Sequence, residues 1–234
     1  MTQTRQSDQR HSQENSAVPV WTAKDWWLPV VNAVIVAVVY LLFNDKLPDR
    51  VAAHYNINGE ANRYMAKGTF WLTYAALTIA LPVVMTFLRS IDPRKANYAQ
   101  FAPFYRLMRW VISLFLQVLL ISIVLHESGS SIALHNMVLG AFGVMWMLLG
   151  NQLGRVRSNY FIGIRTPWAL NDDTNWKQTH RLAAKLWFFA GVVMFALAWF
   201  LPAQWAIVTA IVCIAGSSLA SILYSYLLYR RKPG

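Results

Sequence analysis

An apolar run without a charged residue, VVNAVIVAVVYLLF, occupies residues 30–43. It belongs to the first of six apolar segments: Trp26–Phe43, Thr69–Leu88, Trp110–Leu125, Ile132–Gly150, Leu186–Leu201 and Ala206–Leu228. A helix needs about 20 residues to cross about 30 Å of hydrocarbon, whereas a barrel strand is about 10 residues long and alternates in polarity. The segments therefore predict an all-α membrane protein with six transmembrane helices.

Composition supports the membrane class. Of 234 residues, 56% are hydrophobic and only 13% are charged, against about 25% charged in ordinary soluble domains. A soluble globular domain and a disordered chain are both excluded. Because Cys213 is the single cysteine, no intrachain disulfide can form. We attribute the net charge of +11 to loops that face the cytoplasm and meet anionic membrane lipid, and expect no direct contact with nucleic acid.

Charge also predicts orientation. Seventeen Lys and Arg residues lie on the side that holds both termini, against four on the opposite side, which places both termini in the cytoplasm of a multi-pass bacterial plasma-membrane protein. The predicted organisation is a mobile cytoplasmic tail (1–25), a first membrane half (26–125) with an extracytoplasmic loop (44–68), a second membrane half (126–229) with a cytoplasmic loop (154–182), and a basic cytoplasmic tail (230–234).

The outward loop predicts a small β-hairpin on the membrane surface. Asn58-Gly59 favours a type I′ turn, in which both residues have positive φ. Polar residues alternate with Tyr55 and Ile57 before the turn, so the polar side chains should face water or a ligand. Two interpretations stay open: a docking surface for a molecule outside the cell, or a cap whose polar groups satisfy the hairpin's own backbone.

The inward loop contains its own helix signals. Pro167 favours extended geometry at Thr166, and Asn171 is the predicted N-cap of a helix that continues into the fifth span. Trp176 and His180 would share one face of this helix. The basic loop is either positive-inside charge that meets anionic lipid or a docking site for a cytoplasmic protein.

Small residues near this loop predict a close helix contact. Gly150 and Gly154 are four residues apart, so they would lie on one face at the end of the fourth span. Such pairs let two helix backbones approach closely.

Motifs for catalysis are absent from the sequence, and we expect no enzyme and no cofactor. Residues near the outer helix ends admit a metal site in principle: His54, His126, Glu127, His135 and Asn136. Their spacing does not require one, and hydrogen bonds between helices explain such residues better.

Both loops together resemble the SdpI family of bacterial immunity membrane proteins. The outward segment resembles the short domain of unknown function that opens many members, through Leu47-Pro48, His54-Tyr55-Asn56, Gly59 and Lys67. The inward segment resembles the family's signature region, with Gly150-Asn151, the run from Asn159 to Trp168, Trp176, Thr179-His180-Arg181 and Lys185.

The resemblance implies immunity against a secreted peptide toxin outside the cell, and signalling of that toxin to a cytoplasmic winged-helix autorepressor. By this resemblance, the candidate toxin-binding residues are His54, Tyr55, Asn56, Gly59, Asn62 and Lys67. The candidate signalling residues are Asn159, Gly163, Arg165, Thr166, Pro167, Trp168, Trp176, Thr179 and His180. A small membrane transporter or channel is the alternative function.

Overall fold

The fold is taken from a computed structural model, which describes residues 25–131 and 133–231. The predicted tail 1–25 lies outside the described residues except for Asp25. Of the predicted basic tail 230–234, Arg230 and Arg231 are described.

Six helices are long and apolar enough to cross a membrane, as predicted. They are α1 (Trp27–Phe43), α2 (Lys67–Ile91), α3 (Ala102–Glu127), α4 (Leu134–Leu153), α6 (Asp173–Leu197) and α7 (Ala203–Arg230). The third and fifth are longer than their apolar segments, because each helix continues through polar residues beyond the apolar run. A short helix, α5 (Pro167–Asn171), precedes α6.

Helix α2 contains a π-helical turn at Ala76–Ala80, directly before Pro82. Proline has no backbone N–H and disfavours the preceding helical turn. The N–H of Leu81 donates to the carbonyl of Ala76, five residues earlier instead of four. The local π geometry thereby lets the helix continue past the proline.

The predicted hairpin is present, but its turn differs from the prediction. Strands β1 (Arg50–Tyr55) and β2 (Ala61–Ala66) pair antiparallel. Among the described residues only glycines have positive φ, so Asn58 does not, and the type I′ prediction is wrong. The N–H of Gly59 donates to Asn56 O at 2.9 Å, and Gly59 has φ +82°. A longer loop with a single left-handed glycine therefore replaces the two-residue turn.

Side-chain caps begin the helices of the loop between α4 and α6, which we call the signature loop (residues 154–172). Thr166 is extended, as predicted, and its hydroxyl accepts from Ala169 N to cap α5. The predicted N-cap of the next helix is wrong: Asn171 ends α5, and Asp172 caps α6 by accepting from Thr174 N. The short α5, absent from the prediction, moves the cap by one residue.

Helices α4 and α6 are in backbone contact through glycines. A Cβ atom on Gly150 would lie 2.6 Å from Phe188 N, and one on Gly143 would lie 2.6 Å from Phe195 N. Gly191 of α6 meets the backbone of α4 equally closely. Gly154 has only ordinary 3.8 Å contacts, so the close pair is Gly143 with Gly150, and not Gly150 with Gly154 as predicted.

Candidate functional site

The bundle has two structured ends. The hairpin end carries β1, β2 and the turns 128–131 and 198–202, and the loop end carries the signature loop and the connection between α2 and α3, which includes residues 92–97. Every candidate residue predicted from the sequence lies at one of these ends. The two sets are therefore separated by the length of the bundle.

Asn56 organises the hairpin turn. Its side-chain oxygen accepts from the backbone N–H groups of Asn58 and Glu60 at 2.9 and 3.0 Å, and its amide donates to the Glu60 carboxylate. This side chain satisfies the hairpin's own backbone, as the cap interpretation requires.

His54 and Asn62 form an exposed pair across the two strands, with 2.7 Å between His54 Nδ1 and Asn62 Oδ1. Because an amide oxygen only accepts, Nδ1 carries the proton in this bond. Ile57 and Tyr64 are also about half exposed. These four side chains form a surface available to another molecule, which we call the hairpin surface.

Tyr55 joins the hairpin to the helical bundle. Its hydroxyl donates to Glu127 Oε1 at 3.0 Å, and its ring lies against that of His126 at the end of α3. Burial and the neighbouring Glu127 carboxylate raise the pKa of Tyr55 above its ordinary value. The phenol therefore stays protonated and remains a donor near neutral pH.

Lys67 holds the end of α1 against the start of α2. Its ammonium donates to the carbonyls of Asn44 and Leu47 at 3.3 and 3.2 Å, and Asp49 lies 3.9 Å away. The carbonyls at a helix C-terminus lack intrahelical donors, so a lysine there is favourable. Lys67 thus has a structural role in this fold.

Gly59 lies at the hairpin tip against the start of α7. A Cβ on Gly59 would lie 2.8 Å from Ala203 Cβ. Beneath the tip is an apolar cavity of about 610 Å³, which we call the hairpin groove. Its lining includes Tyr55, Gly59, His126, His135, Leu139, Phe142, Ala206, Ala210 and Ile214.

The signature loop is folded around Asn159, which is fully buried. Its side-chain oxygen accepts from the N–H groups of Phe161 and Ile162, and its amide donates to the carbonyls of Arg157 and Ile162. One side chain therefore replaces the missing backbone partners of a whole turn.

His180 packs directly against Gly163 of the signature loop. His180 Nε2 accepts from Ile164 N–H at 3.0 Å, and Nδ1 donates to Trp176 O at 2.8 Å. With one nitrogen accepting and the other donating, this histidine is neutral. Gly163 has φ +104°, and a Cβ there would lie closer than 3.0 Å to His180 Nε2. Trp176 stacks on the imidazole, which confirms their predicted common face.

A second buried set of hydrogen bonds ties the signature loop to α7. The hydroxyls of Thr166 and Ser225 are 2.6 Å apart. Ser225 donates to Asn175 Oδ1 at 2.8 Å, Thr179 donates to the same atom at 3.0 Å, and the Asn175 amide donates to Ser225 O. Thr166 and Thr179 are among the predicted signalling residues, whereas no sequence motif marks Asn175 or Ser225.

The signalling candidates divide into buried and accessible residues. Asn159, Thr166, Trp176, Thr179 and His180 are buried. These side chains affect a partner only through the shape of the loop. Trp176 is 1% exposed and donates to Val156 O, so it packs inside the loop end and does not contact lipid.

Three candidates remain accessible at the loop end. Arg165 is exposed and donates to Tyr160 O at 2.5 Å. Pro167 is exposed, and Trp168 is half-buried against the rings of Tyr226 and Tyr229. These residues provide charge and apolar area of the kinds that protein interfaces use.

Residues 92–97 of the connection between α2 and α3 support the signature loop, a role that no sequence motif indicates. Asp92 accepts from Tyr160 N at 2.9 Å, and Asn97 donates to Ser158 O at 2.7 Å. Arg94 donates to Leu170 O at 2.8 Å and also to the Ser158 hydroxyl. The first half of the chain thus supports the loop of the second half.

Buried polar residues also connect the first three helices. Asn32 of α1 donates to Ser113, Gln117 of α3 donates to Asn32, and Tyr74 of α2 donates to Gln117, at 2.6–2.8 Å. Because bonds of this kind satisfy polar groups away from water, they fix how the three helices meet. Asp25 forms ion pairs with Arg109 and Arg89 at 2.5 and 3.2 Å.

The candidate metal residues do not assemble into a ligand set. No group of three or more His, Cys, Asp or Glu side chains with metal-binding geometry occurs within residues 25–131 and 133–231. Glu127 instead accepts from Tyr55, and His135 lines the hairpin groove.

Comparison with known proteins gives matches in both halves of the chain. A model of the SdpI/YfhL protein family matches residues 155–225, and a model of a domain of unknown function (DUF1648) matches residues 30–86. The immunity protein SdpI of Bacillus subtilis (strain 168) is 29% identical over 119 residues, which are 51% of this chain and 57% of that protein. No solved structure matches the chain.

The matched regions coincide with the two ends just described. Residues 155–225 include most of the signature loop, α6 and α7 as far as Ser225, and residues 30–86 include the hairpin. The predicted resemblance is therefore confirmed: this multi-pass membrane protein matches the SdpI/YfhL family model in its second half and the DUF1648 model in its first.

Proposed function

We propose that this chain is a membrane immunity protein that protects its cell from a secreted peptide toxin and signals the toxin's presence to a cytoplasmic repressor. The observation that carries the proposal is the similarity to the immunity protein SdpI of Bacillus subtilis. The proposed role is non-enzymatic, in line with the description of this relative as an immunity protein. The halves 26–125 and 126–229 would then serve toxin contact and signalling respectively.

The hairpin surface is the proposed toxin contact. His54, Ile57, Asn62 and Tyr64 are exposed polar and apolar side chains of the hairpin. Asn56, Gly59 and Lys67 hold the shape of the hairpin, and Tyr55 fixes it to α3. The surface therefore rests on a rigid support, which lowers the entropic cost of binding.

The accessible part of the signature loop is the proposed repressor contact. Arg165 offers charge-assisted hydrogen bonds to an acidic partner, and Trp168 offers an aromatic anchor. Buried Asn159 and His180 hold the loop in one conformation. Anionic membrane lipid is expected to lie against the surrounding Lys and Arg residues.

Expression in a sensitive bacterium tests the proposal. Cells that carry the chain or an empty vector are challenged with a panel of secreted membrane-active peptides, and survival is counted at matched protein abundance. Protection against one peptide, without a change in solute flux when no peptide is present, supports immunity. Unchanged survival across the panel, together with altered solute flux, would instead support the transporter or channel.

A further inference from the structure

Helix α7 contacts both structured ends of the molecule. At the hairpin end, Ala203 lies against Gly59, and Ala206, Ala210 and Ile214 line the hairpin groove opposite α4. A shift of α7 at this end therefore changes the width of the groove.

At the loop end, the same helix holds the signature loop. Ser225 is fully buried between Thr166 and Asn175 and forms hydrogen bonds with both. The rings of Tyr226 and Tyr229 lie against Trp168. At 1.5 Å per residue, Ala203 and Ser225 are separated by about 33 Å along one continuous helix.

Between the two ends, the buried residues of α7 have small side chains. Ser217 and Ser221 are buried, and their hydroxyls donate to carbonyls of their own helix, at Cys213 and Ser217. Within the described residues, Ser225 is the residue of α7 that forms hydrogen bonds with another helix or loop. Ser217 and Ser221 therefore form no cross-helix bond that a small shift of α7 would break, and shifts of whole helices are a known form of conformational switching.

We propose that α7 couples the hairpin groove to the signature loop, with Ser225 as the positioning residue that transfers the shift. When α7 moves at the groove, Ser225 moves relative to Thr166 and Asn175, and the accessible face formed by Arg165 and Trp168 changes. This inference deepens the proposed signalling function and rests on it for its biological meaning. The coupling between the hairpin groove and the signature loop is a property of the isolated protein and can be measured without a toxin or a repressor.

Filling the groove tests the coupling without a toxin or a repressor. The full chain with Cys213→Ser and Arg165→Cys is placed in lipid nanodiscs, and the rate of maleimide labelling at position 165 is measured. Ala210→Trp adds volume to the groove from α7 itself. We expect it to change the rate by about fivefold or more, the lower end of typical coupling between sites.

The matched control fills a different cavity. Ala141 lines a cavity of about 230 Å³ between α3, α4 and α6, to which no described residue of α7 contributes. Ala141→Trp should leave the labelling rate unchanged. If Ala210→Trp does not give a monodisperse protein, Ala210→Leu replaces it with a smaller expected change in the same direction.

A second pair of variants isolates Ser225. Adding Ser225→Ala should abolish the effect of filling the groove, whereas Ser221→Ala, on the same buried face, should preserve it. Thr166→Ser keeps the partner hydroxyl and should preserve the effect, and Thr166→Val should remove it. If Ser225 had only a structural role, Ser225→Ala would lower stability but would not selectively abolish the change in labelling rate that Ala210→Trp causes.

Two outcomes would overturn the proposal: an unchanged labelling rate on filling the groove, or an equal change from Ala141→Trp. Loss of the effect in Ser221→Ala would overturn the role of Ser225. Because the measurement contains neither toxin nor repressor, its failure is distinguishable from failure of the survival assay.

Discussion

Replacing Gly163 with alanine should destabilise the signature loop more than adding a methyl group at any other residue of the loop. Gly163 has φ +104°, which L residues adopt only with strain of about 1–3 kcal/mol. The added Cβ would also push His180 away from Ile164 N–H. A buried N–H that loses its acceptor adds a cost of about 1–3 kcal/mol. The expected decrease in the free energy of unfolding is therefore about 2–6 kcal/mol.

Thermal unfolding of the purified protein in nanodiscs measures this loss. On the scale of soluble domains of this length, the expected decrease in unfolding temperature is about 4 °C or more. Gly68→Ala is the control, because Gly68 is helical and a Cβ atom added there would have no heavy atom within 4 Å. An unfolding temperature for Gly163→Ala equal to that of the control would refute the structural argument for the loop.

Other predictions concern orientation and the two ends. Topology reporters fused at Gly59 and at the C-terminus should give opposite readings, since the charge distribution predicts both termini inside; equal readings would contradict six spans with this orientation. Asn56→Ala should lower both abundance and protection, because two backbone N–H groups lose their acceptor, whereas His54→Ala should lower protection at unchanged abundance. Trp168→Ala should weaken reporter induction more than membrane abundance, and His180→Ala should lower both together; parallel losses in both variants would refute a dedicated signalling surface.

The number of spans followed directly from the sequence because lipid imposes the same length and polarity on every crossing helix. The hairpin was also predictable, since Gly59 marks the turn. The turn type was not, because it depends on Asn56, whose side chain captures two backbone N–H groups. Residue propensities for turns do not show whether a side chain or the backbone will accept from these N–H groups.

The candidate site could be predicted only in part. Thr166, Trp176 and His180 were found through the resemblance, but their burial depends on α7 and on the connection 92–97, which are distant in sequence. Ser225 carries no local signal, since a serine in an apolar helix is common, and its partners come from two other elements. Packing between elements therefore decided which candidates remain accessible.

Immunity itself is tested by the peptide concentration that halves the growth of a sensitive bacterium. Strains carry the vector, the unchanged chain or Gly163→Ala, and chain abundance in the membrane is measured in parallel. We expect the unchanged chain to raise this concentration for at least one secreted membrane-active peptide, and Gly163→Ala to reduce the rise in step with its abundance. An unchanged concentration for every peptide, with the chain abundant and folded in the membrane, would contradict immunity as its function.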